Sequence, residues 1–438
     1  MEFSELFTQS VREVLPLVRQ KALVYYLDFD GAYFELAGEH AVLRAGTHRL
    51  LRGLIDCFET GFLVFTSAVA CGTDGRWKAT LHLAGAGATA CFSSIAEVLA
   101  RLQLEAGPEA AHGSSGAMRI SGVCPATGGQ VKFAYAGHEG IFISLTVDVE
   151  GEEVPGPSPL PDAEGVIAFT VSEVPGGLDS VARRLRRLGW QVAEFGALDQ
   201  AIHRLALDRS SGQTLPLLLL VAEVDGQELA ALEPVSRALP ATRVVLAVLA
   251  GSSTLDARAH SPVDIRPLPL SPRDLERLTQ HVDALTSTPE SRETSPMPLY
   301  VHDARRVLVV DDSDVNQFIA RGQLELLGYD VTVATNGREA LQLCRERAPD
   351  VVLMDMDMPE LDGVQTTQHL RAWQQVGIVP PFPIVASTSG EDVDRRRAEC
   401  LAAGMDGYLA KPMDLRRLAD EIHRVLPERA AERPGAAP

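Results

Sequence analysis

Residues 351–363 read VVLMDMDMPELDG. An unbroken apolar run gives way to carboxylates at Asp355, Asp357 and Asp362, with Pro359 and Gly363 among them. A run of this kind, with no polar alternation, is the pattern of a strand buried on both faces of a parallel sheet. Neighbouring segments repeat it. RVLVV (306–310), YDVTVA (329–334), PIVAS (383–387) and GYLA (407–410) are short apolar strands, separated by stretches that read as helices, such as NGREALQLCRER. Five strands alternating with helices predict βαβ units and a doubly wound α/β fold. Ligands of such sheets sit at the carboxyl ends of the strands.

That rule brings five side chains to one edge. Asp355 follows the third strand, Asp311 and Asp312 the first, Thr388 the fourth and Lys411 the fifth. Three clustered carboxylates repel one another unless a cation joins them. A site of few carboxylates that keeps several waters suits Mg²⁺. An ammonium and a hydroxyl beside it suit phosphate oxygens, and a carboxylate can take a phosphoryl group covalently. A lone Asp355 after four apolar residues would be costly without such partners. Asp362, before Gly363, reads as the residue that starts the next helix.

The chain has 438 residues, 46% hydrophobic and 23% charged, with a formal net charge of −19. That balance opposes a broad face for nucleic acid or anionic membrane. The most basic stretch, ARRLRRLG (182–189), fits a solvated amphipathic helix, because Leu185 and Leu188 share a face. The start, MEFSELFTQSVREVLPLV, lacks the basic and apolar regions of a signal peptide. No apolar run approaches the ~20 residues of a membrane helix. The six cysteines show no CxxC pair, so reduced thiols and a cytoplasmic location are expected. EGEEVPGPSPLPDAEG (150–165) and LTSTPESRETSPMP (285–298) have linker compositions. The expected organisation is a first domain at 1–150, a linker at 151–163, a second domain at 164–285 and a linker at 286–304. A third domain then spans 305–426, followed by a disordered tail at 427–438.

The third segment resembles a response-regulator receiver domain of the two-component systems. VLVVDDSDVN, LLGYDVTVATNGREAL, PDVVLMDMDMPELDGV, PIVASTSG and DGYLAKPMD carry the resemblance. It implies that Asp355 accepts a phosphoryl group from a phosphohistidine. Asp311 and Asp312 would bind Mg²⁺ with Asp355 and the backbone carbonyl of Asp357. Lys411 would pair with the phosphate, Thr388 would hydrogen-bond it, and Tyr408 would swing inward as the signal. The phosphodonor would be a histidine kinase or a histidine phosphotransfer protein.

The middle segment repeats the third. LRRLGWQVAEFG (185–196) parallels LELLGYDVTVAT, and VVLAVLAG (244–251) parallels the strand ending in TSG. Self-similarity at domain length indicates duplication. In this alignment Ala222 stands at the Asp355 position, Leu249 at Thr388, Ser271 at Lys411, and Ser172 and Glu173 at the acidic pair, with Glu223 and Asp225 as alternatives to Ala222. A pseudo-receiver used for docking or dimerisation is expected, and a homodimer is compatible with it.

Residues 1–150 resemble the ATP-binding α/β-sandwich of histidine kinases. HAVLRAGTHRLLRGLIDCFETG reads as a helix ending at Gly61, and VFTSAVACGTDGRWKATLHLAGAGA as a hairpin into a glycine-rich turn. Gly53 and Cys57 stand where that family's Mg²⁺-ATP-binding Asn is expected, and Leu83 where its adenine-reading Asp is expected; Gly85 and Gly87 remain. FAYAGHEGIFISL alternates like a strand and lacks a Pro-containing helical context, so His138 is not expected to be a phosphoacceptor.

The chain thus reads as a phosphorelay signalling protein with one working receiver. Pseudo-kinase and pseudo-receiver segments would serve as scaffold, output would be by protein contact, and no kinase activity of its own is expected. Too little chain after Asp414 is expected to leave no DNA-binding domain. The alternatives are an active hybrid histidine kinase, which needs ATP binding by 1–150, and a regulator acting on DNA.

Overall fold

The computed structural model describes residues 1–38, 40–89, 95–112, 118–136, 140–155, 166–173, 178–224, 226–286, 305–388 and 393–426. His138, Asp225, most of the 151–163 stretch, residues 287–304 and the tail from 427 lie outside them.

The N-terminal part runs α1 (Phe3–Gln20), β1 (Val24–Gly31), β2 (Phe34–Leu36), α2 (Ala41–Asp56), β3 (Phe58–Cys71), β4 (Trp77–Thr89) and α3 (Ile95–Leu102). It continues with β5 (Glu105–His112), β6 (Met118–Cys124), β7 (Gly129–Tyr135), β8 (Ile141–Val149) and β9 (Gly151–Glu153). One sheet has the order β1-β3-β4-β8-β7-β6-β5, with β1 parallel to β3 and the other pairs antiparallel. The buried face of α1, with Phe3, Phe7, Val11 and Val18, forms a core with Leu50, Leu51 and Leu54 of α2 and the inner residues of β3 and β4.

Three local expectations are corrected, and a fourth is refined. The helix expected to end at Gly61 ends at Asp56, and Gly61 lies inside β3. The Ala-Gly-Ala-Gly run is part of β4 rather than a turn. In FAYAGHEGIFISL the strand character holds, with residues 133–135 in β7 and 141–145 in β8, paired antiparallel. The expected linker begins with Gly151–Glu153, which pairs with Phe34–Leu36.

The glycine error has a physical origin. Gly61 and Gly87 face each other across β3 and β4, with φ of 137° and 141°. A Cβ on either would run into the backbone of the other strand. A Gly after an apolar helical run is a normal helix stop, but here tertiary contact sets the requirement. Gly61→Val should destabilise the N-terminal part by about 2–4 kcal/mol, read as a fall in its thermal midpoint.

The middle part contains β10 (Ile167–Val171), α4 (Asp179–Arg187), β11 (Gln191–Phe195), α5 (Leu198–Ser210), β12 (Leu218–Ala222), α6 (Glu228–Ala238), β13 (Arg243–Val248), a 3₁₀ turn, β14 (Asp264–Pro267) and α7 (Pro272–Thr286). The third part contains β15 (Arg306–Val310), α8 (Asp314–Leu326), β16 (Asp330–Ala334), α9 (Gly337–Glu346), β17 (Val351–Asp355) and α10 (Gly363–Gln375). It ends with β18 (Ile384–Thr388), α11 (Val393–Ala402), β19 (Gly407–Ala410) and α12 (Leu415–Val425). The two parallel sheets have the orders β11-β10-β12-β13-β14 and β16-β15-β17-β18-β19. Both are the 2-1-3-4-5 order of flavodoxin-like doubly wound folds. In the third part Leu308, Val310, Val352 and Met354 enter one buried cluster, while Val307, Val309, Val351 and Leu353 enter another. Alternate residues face opposite sides of the sheet, so an unbroken apolar run is what two covered faces require.

The sheets also correct the alignment of the middle part. Ala222 pairs with Ala247 as Asp355 pairs with Ser387, so Val248, not Leu249, is the counterpart of Thr388. Val248 pairs with Pro267 as Thr388 pairs with Ala410, so Leu268, not Ser271, is the counterpart of Lys411.

ARRLRRLG is not a solvated helix. Arg183, Arg184 and Arg187 of α4 lie 3.9, 3.5 and 3.6 Å from the Asp28 carboxylate on β1. Arg183 also pairs with Glu325 of α8 at 3.1 Å, and the Tyr26 hydroxyl lies 3.0 Å from the Glu325 and Asp28 carboxylates alike, its one proton available to either. All three parts meet at this point.

Candidate phosphoacceptor site

The sheet that fixes Asp355 also fixes its neighbours. β15 and β17 lie side by side, Val310 opposite Met354, so the residues following both strands meet at one edge. One carboxylate oxygen from each of Asp311, Asp312 and Asp355 lies within 4.8 Å of the others. Lys411 reaches in from the end of β19, its Nζ 2.7 Å from Asp311 and 3.0 Å from Asp355. The Lys411 side chain is 5% exposed and that of Asp355 6%. Thr388 ends β18 fully buried, and its carbonyl accepts the Lys411 amide at 2.8 Å.

Burial pushes the Asp355 carboxyl up to about 7, opposed by the nearby Lys411 ammonium and reinforced by Asp311. Asp311 is raised from the same first cause. Three acids facing one ammonium form a site short of positive charge, and this donor set fits a divalent cation. In metal-free buffer Asp355→Asn should therefore stabilise the fold, by about 1–3 kcal/mol, because it removes a buried charge while Lys411 keeps Asp311. A thermal melt in chelator checks this.

The remaining residues are spread around the rim. The Asp357 amide donates to Asp355 Oδ1 at 3.3 Å, while its carboxylate is held by Arg396 at 3.0 Å. Tyr408 lies half-buried in β19; burial raises its hydroxyl, and Cys400 and Arg396 act on it electrostatically. Asp362 caps α10, accepting from the Gln365 amide at 2.7 Å. Sequence reasoning missed the residues that hold Asp311. The Ser313 amide (2.9 Å) and Asn316 Nδ2 (3.3 Å) donate to its Oδ1, and Gln317 Nε2 donates to its carbonyl at 2.6 Å. The signal was present in DDSDVNQ, where polar side chains fill the first turn of a helix that starts beside the acids.

A family model for the response regulator receiver domain matches residues 307–423. Over 122 residues the chain is 31% identical to the polar-differentiation response regulator DivK of Brucella anthropi, covering 28% of this chain and 96% of DivK. The chain belongs to the response regulator receiver family. It is also 37% identical over 155 residues to the sensor histidine kinase GacS of Pseudomonas protegens, covering 34% of this chain and 17% of that kinase. The chain thus spans less than a fifth of such kinases. Among solved structures, the receiver domain of the Arabidopsis thaliana histidine kinase CKI1, in complex with Mg²⁺ and BeF₃⁻, is 32% identical. The match covers 28% of this chain and 89% of that one, with a TM-score of 0.26. The chain is also similar to part of the hybrid signal transduction histidine kinase E of Dictyostelium discoideum, 35% identical over 153 residues that cover 35% of this chain and 8% of that protein. No helix among the described residues is long and apolar enough to cross a membrane.

Proposed function

We propose that the receiver takes a phosphoryl group onto Asp355 from a phosphohistidine on a histidine kinase or phosphotransfer protein, and that the two preceding parts act as scaffold. The observation that carries this reading is the pairing of Lys411 with both Asp311 and Asp355 inside the three-acid cluster. Asp311, Asp312, Asp355 and the Asp357 backbone carbonyl would hold Mg²⁺, which when bound offsets the charge gathering on the transferring group. A carboxylate oxygen of Asp355 attacks phosphorus. The new O–P bond forms as the N–P bond of the donor breaks, and the imidazole nitrogen keeps the electron pair. Lys411 pairs with the phosphoryl oxygens, the Thr388 hydroxyl donates to them, and Tyr408 moves inward to change the surface that a protein partner reads.

The scaffold reading rests on what replaces the chemistry elsewhere. Ala222, Val248 and Leu268 occupy the positions of Asp355, Thr388 and Lys411 in the middle part. In the N-terminal part Gly53 packs against α3: a Cβ there would lie 2.8 Å from the Arg101 carbonyl, so an Asn does not fit at that position.

The test is phosphoryl labelling of the full chain. With Mg²⁺ and a small acyl-phosphate donor it should gain one acid-stable, base-labile phosphoryl group, and with ATP alone none. Labelling from ATP alone would instead favour an active kinase.

A further inference from the structure

Helix α8 covers part of the outer face of the N-terminal sheet, where Val315, Ile319 and Leu326 are buried in one cluster with Tyr26 and Val64. Beside that contact the receiver and the sheet enclose a cavity of about 570 Å³. Its floor is a row across three strands: Val24 pairs with Phe62 and Phe62 with Ala86, while Thr60 pairs with Ala88. Alternate residues of a strand share a face, so Thr60 and Phe62 look the same way, as do Ala86 and Ala88. The roof is Gln323 of α8 with Pro412, Met413 and Leu415. Ala22, Thr60 and Ala88 are exposed, which opens the cavity to solvent on that side.

Gln323 is fully buried. Its Nε2 donates to the Met413 carbonyl at 2.8 Å, which fixes the orientation of the amide, while its Oε1 has no donor. A buried acceptor left without a donor carries its desolvation cost uncompensated. A water beside it would need about three polar partners to be held, and the apolar side chains of Phe62, Ala86, Pro412 and Leu415 supply none. Asp414 is the one charged residue among the described lining residues. Its carboxylate already caps α12, accepting the Arg416 and Arg417 amides at 3.0 and 3.1 Å. With no basic side chain in that lining, the cavity does not suit a phosphate or a nucleotide.

We infer that the cavity is a binding site for an uncharged, largely apolar ring compound that donates one N–H or O–H to Gln323 Oε1. Its volume is that of a small-molecule pocket, and such pockets are mostly apolar with a few placed polar groups. Alanines at 22, 86 and 88 leave a low floor on which a planar ring can lie, and Phe62 gives it an aromatic neighbour. Binding takes the apolar walls out of water and supplies the donor that Gln323 lacks. The ligand needs nothing from the acidic cluster, so the site stands or falls independently of phosphorylation at Asp355.

The probe is N-phenyl-1-naphthylamine, two uncharged aromatic groups joined by one N–H, whose fluorescence rises when it leaves water. On the full chain it is expected to bind saturably at one site. The ether 1-phenoxynaphthalene has the same rings with an oxygen in place of the N–H, and competition should show it binding about tenfold more weakly. Ala88→Trp, which fills the open side from an exposed position, should weaken the probe by about tenfold or more. Gln323→Met removes the acceptor, so it should bring the two compounds to within about twofold of each other. Absence of saturable binding, or binding that Ala88→Trp leaves unchanged, overturns the site. Equal affinity of the two compounds for the unmodified chain overturns the role of Gln323, and the ligand class with it. If Gln323→Met does not fold, the two compounds on the unmodified chain and on Ala88→Trp decide.

Discussion

Replacing Asp355 by alanine is expected to reduce phosphoryl uptake from a small acyl-phosphate donor to background, while Ala222→Ser leaves it unchanged. The two positions end equivalent strands in sheets of the same order. They differ in what surrounds them. Asp355 has two further carboxylates within 4.8 Å and Lys411 at 3.0 Å, whereas in the middle part Leu268, the residue after β14, takes the place of that ammonium. A hydroxyl there would have nothing to offset the charge of a phosphoryl group. Lys411→Ala should lower the rate of uptake about a hundredfold, because it withdraws the fixed positive charge and leaves Asp311 and Asp355 facing each other. Base lability and intact mass report the product, and time courses report the rate. Label that persists in Asp355→Ala would place the chemistry elsewhere.

The receiver was legible because its information is local and periodic. Each strand announces itself by an apolar run, and the rule that ligands gather at carboxyl ends then brings Asp311, Asp312, Asp355, Thr388 and Lys411 together from the sequence alone. What failed depended on register or on distant partners. The alignment slipped at Leu249 and Ser271 because loops of unequal length leave the offset open, and only strand pairing closes it. Gly61 imitates a helix stop, yet its partner is Gly87 across a strand pair. The arginines of α4 fit a solvated face by periodicity alone, since nothing in ARRLRRLG names the carboxylate they meet. Asn316 and Gln317 escaped notice because their contacts are with the Asp311 backbone and side chain rather than with a ligand.

Asp28→Ala is expected to cost about 3–5 kcal/mol, far more than the 0–1 kcal/mol of an exposed ion pair. Its side chain is 13% exposed and stands among three arginines of α4. The Tyr26 hydroxyl, shared with Glu325, lies 3.0 Å from it, and the Phe29 amide donates to it at 2.8 Å. Alanine would leave Arg184 facing the Phe29 carbonyl and ring, and Arg183 held by Glu325 and the Tyr26 hydroxyl. A partly buried guanidinium that loses its carboxylate retains its desolvation cost. Asp28→Asn keeps an acceptor for Tyr26 and Phe29 but loses the charge, so its cost should be smaller, about 1–2 kcal/mol. Thermal unfolding at low and high salt separates the two variants. Hydrogen exchange should rise in α4 and β1 together, because one carboxylate joins them. A cost under 1 kcal/mol for Asp28→Ala would mean that apolar packing holds the junction. In that event the continuous core formed by α1, α2, β10 and β12 would be what binds the middle part to the N-terminal one, with the arginines adding only orientation.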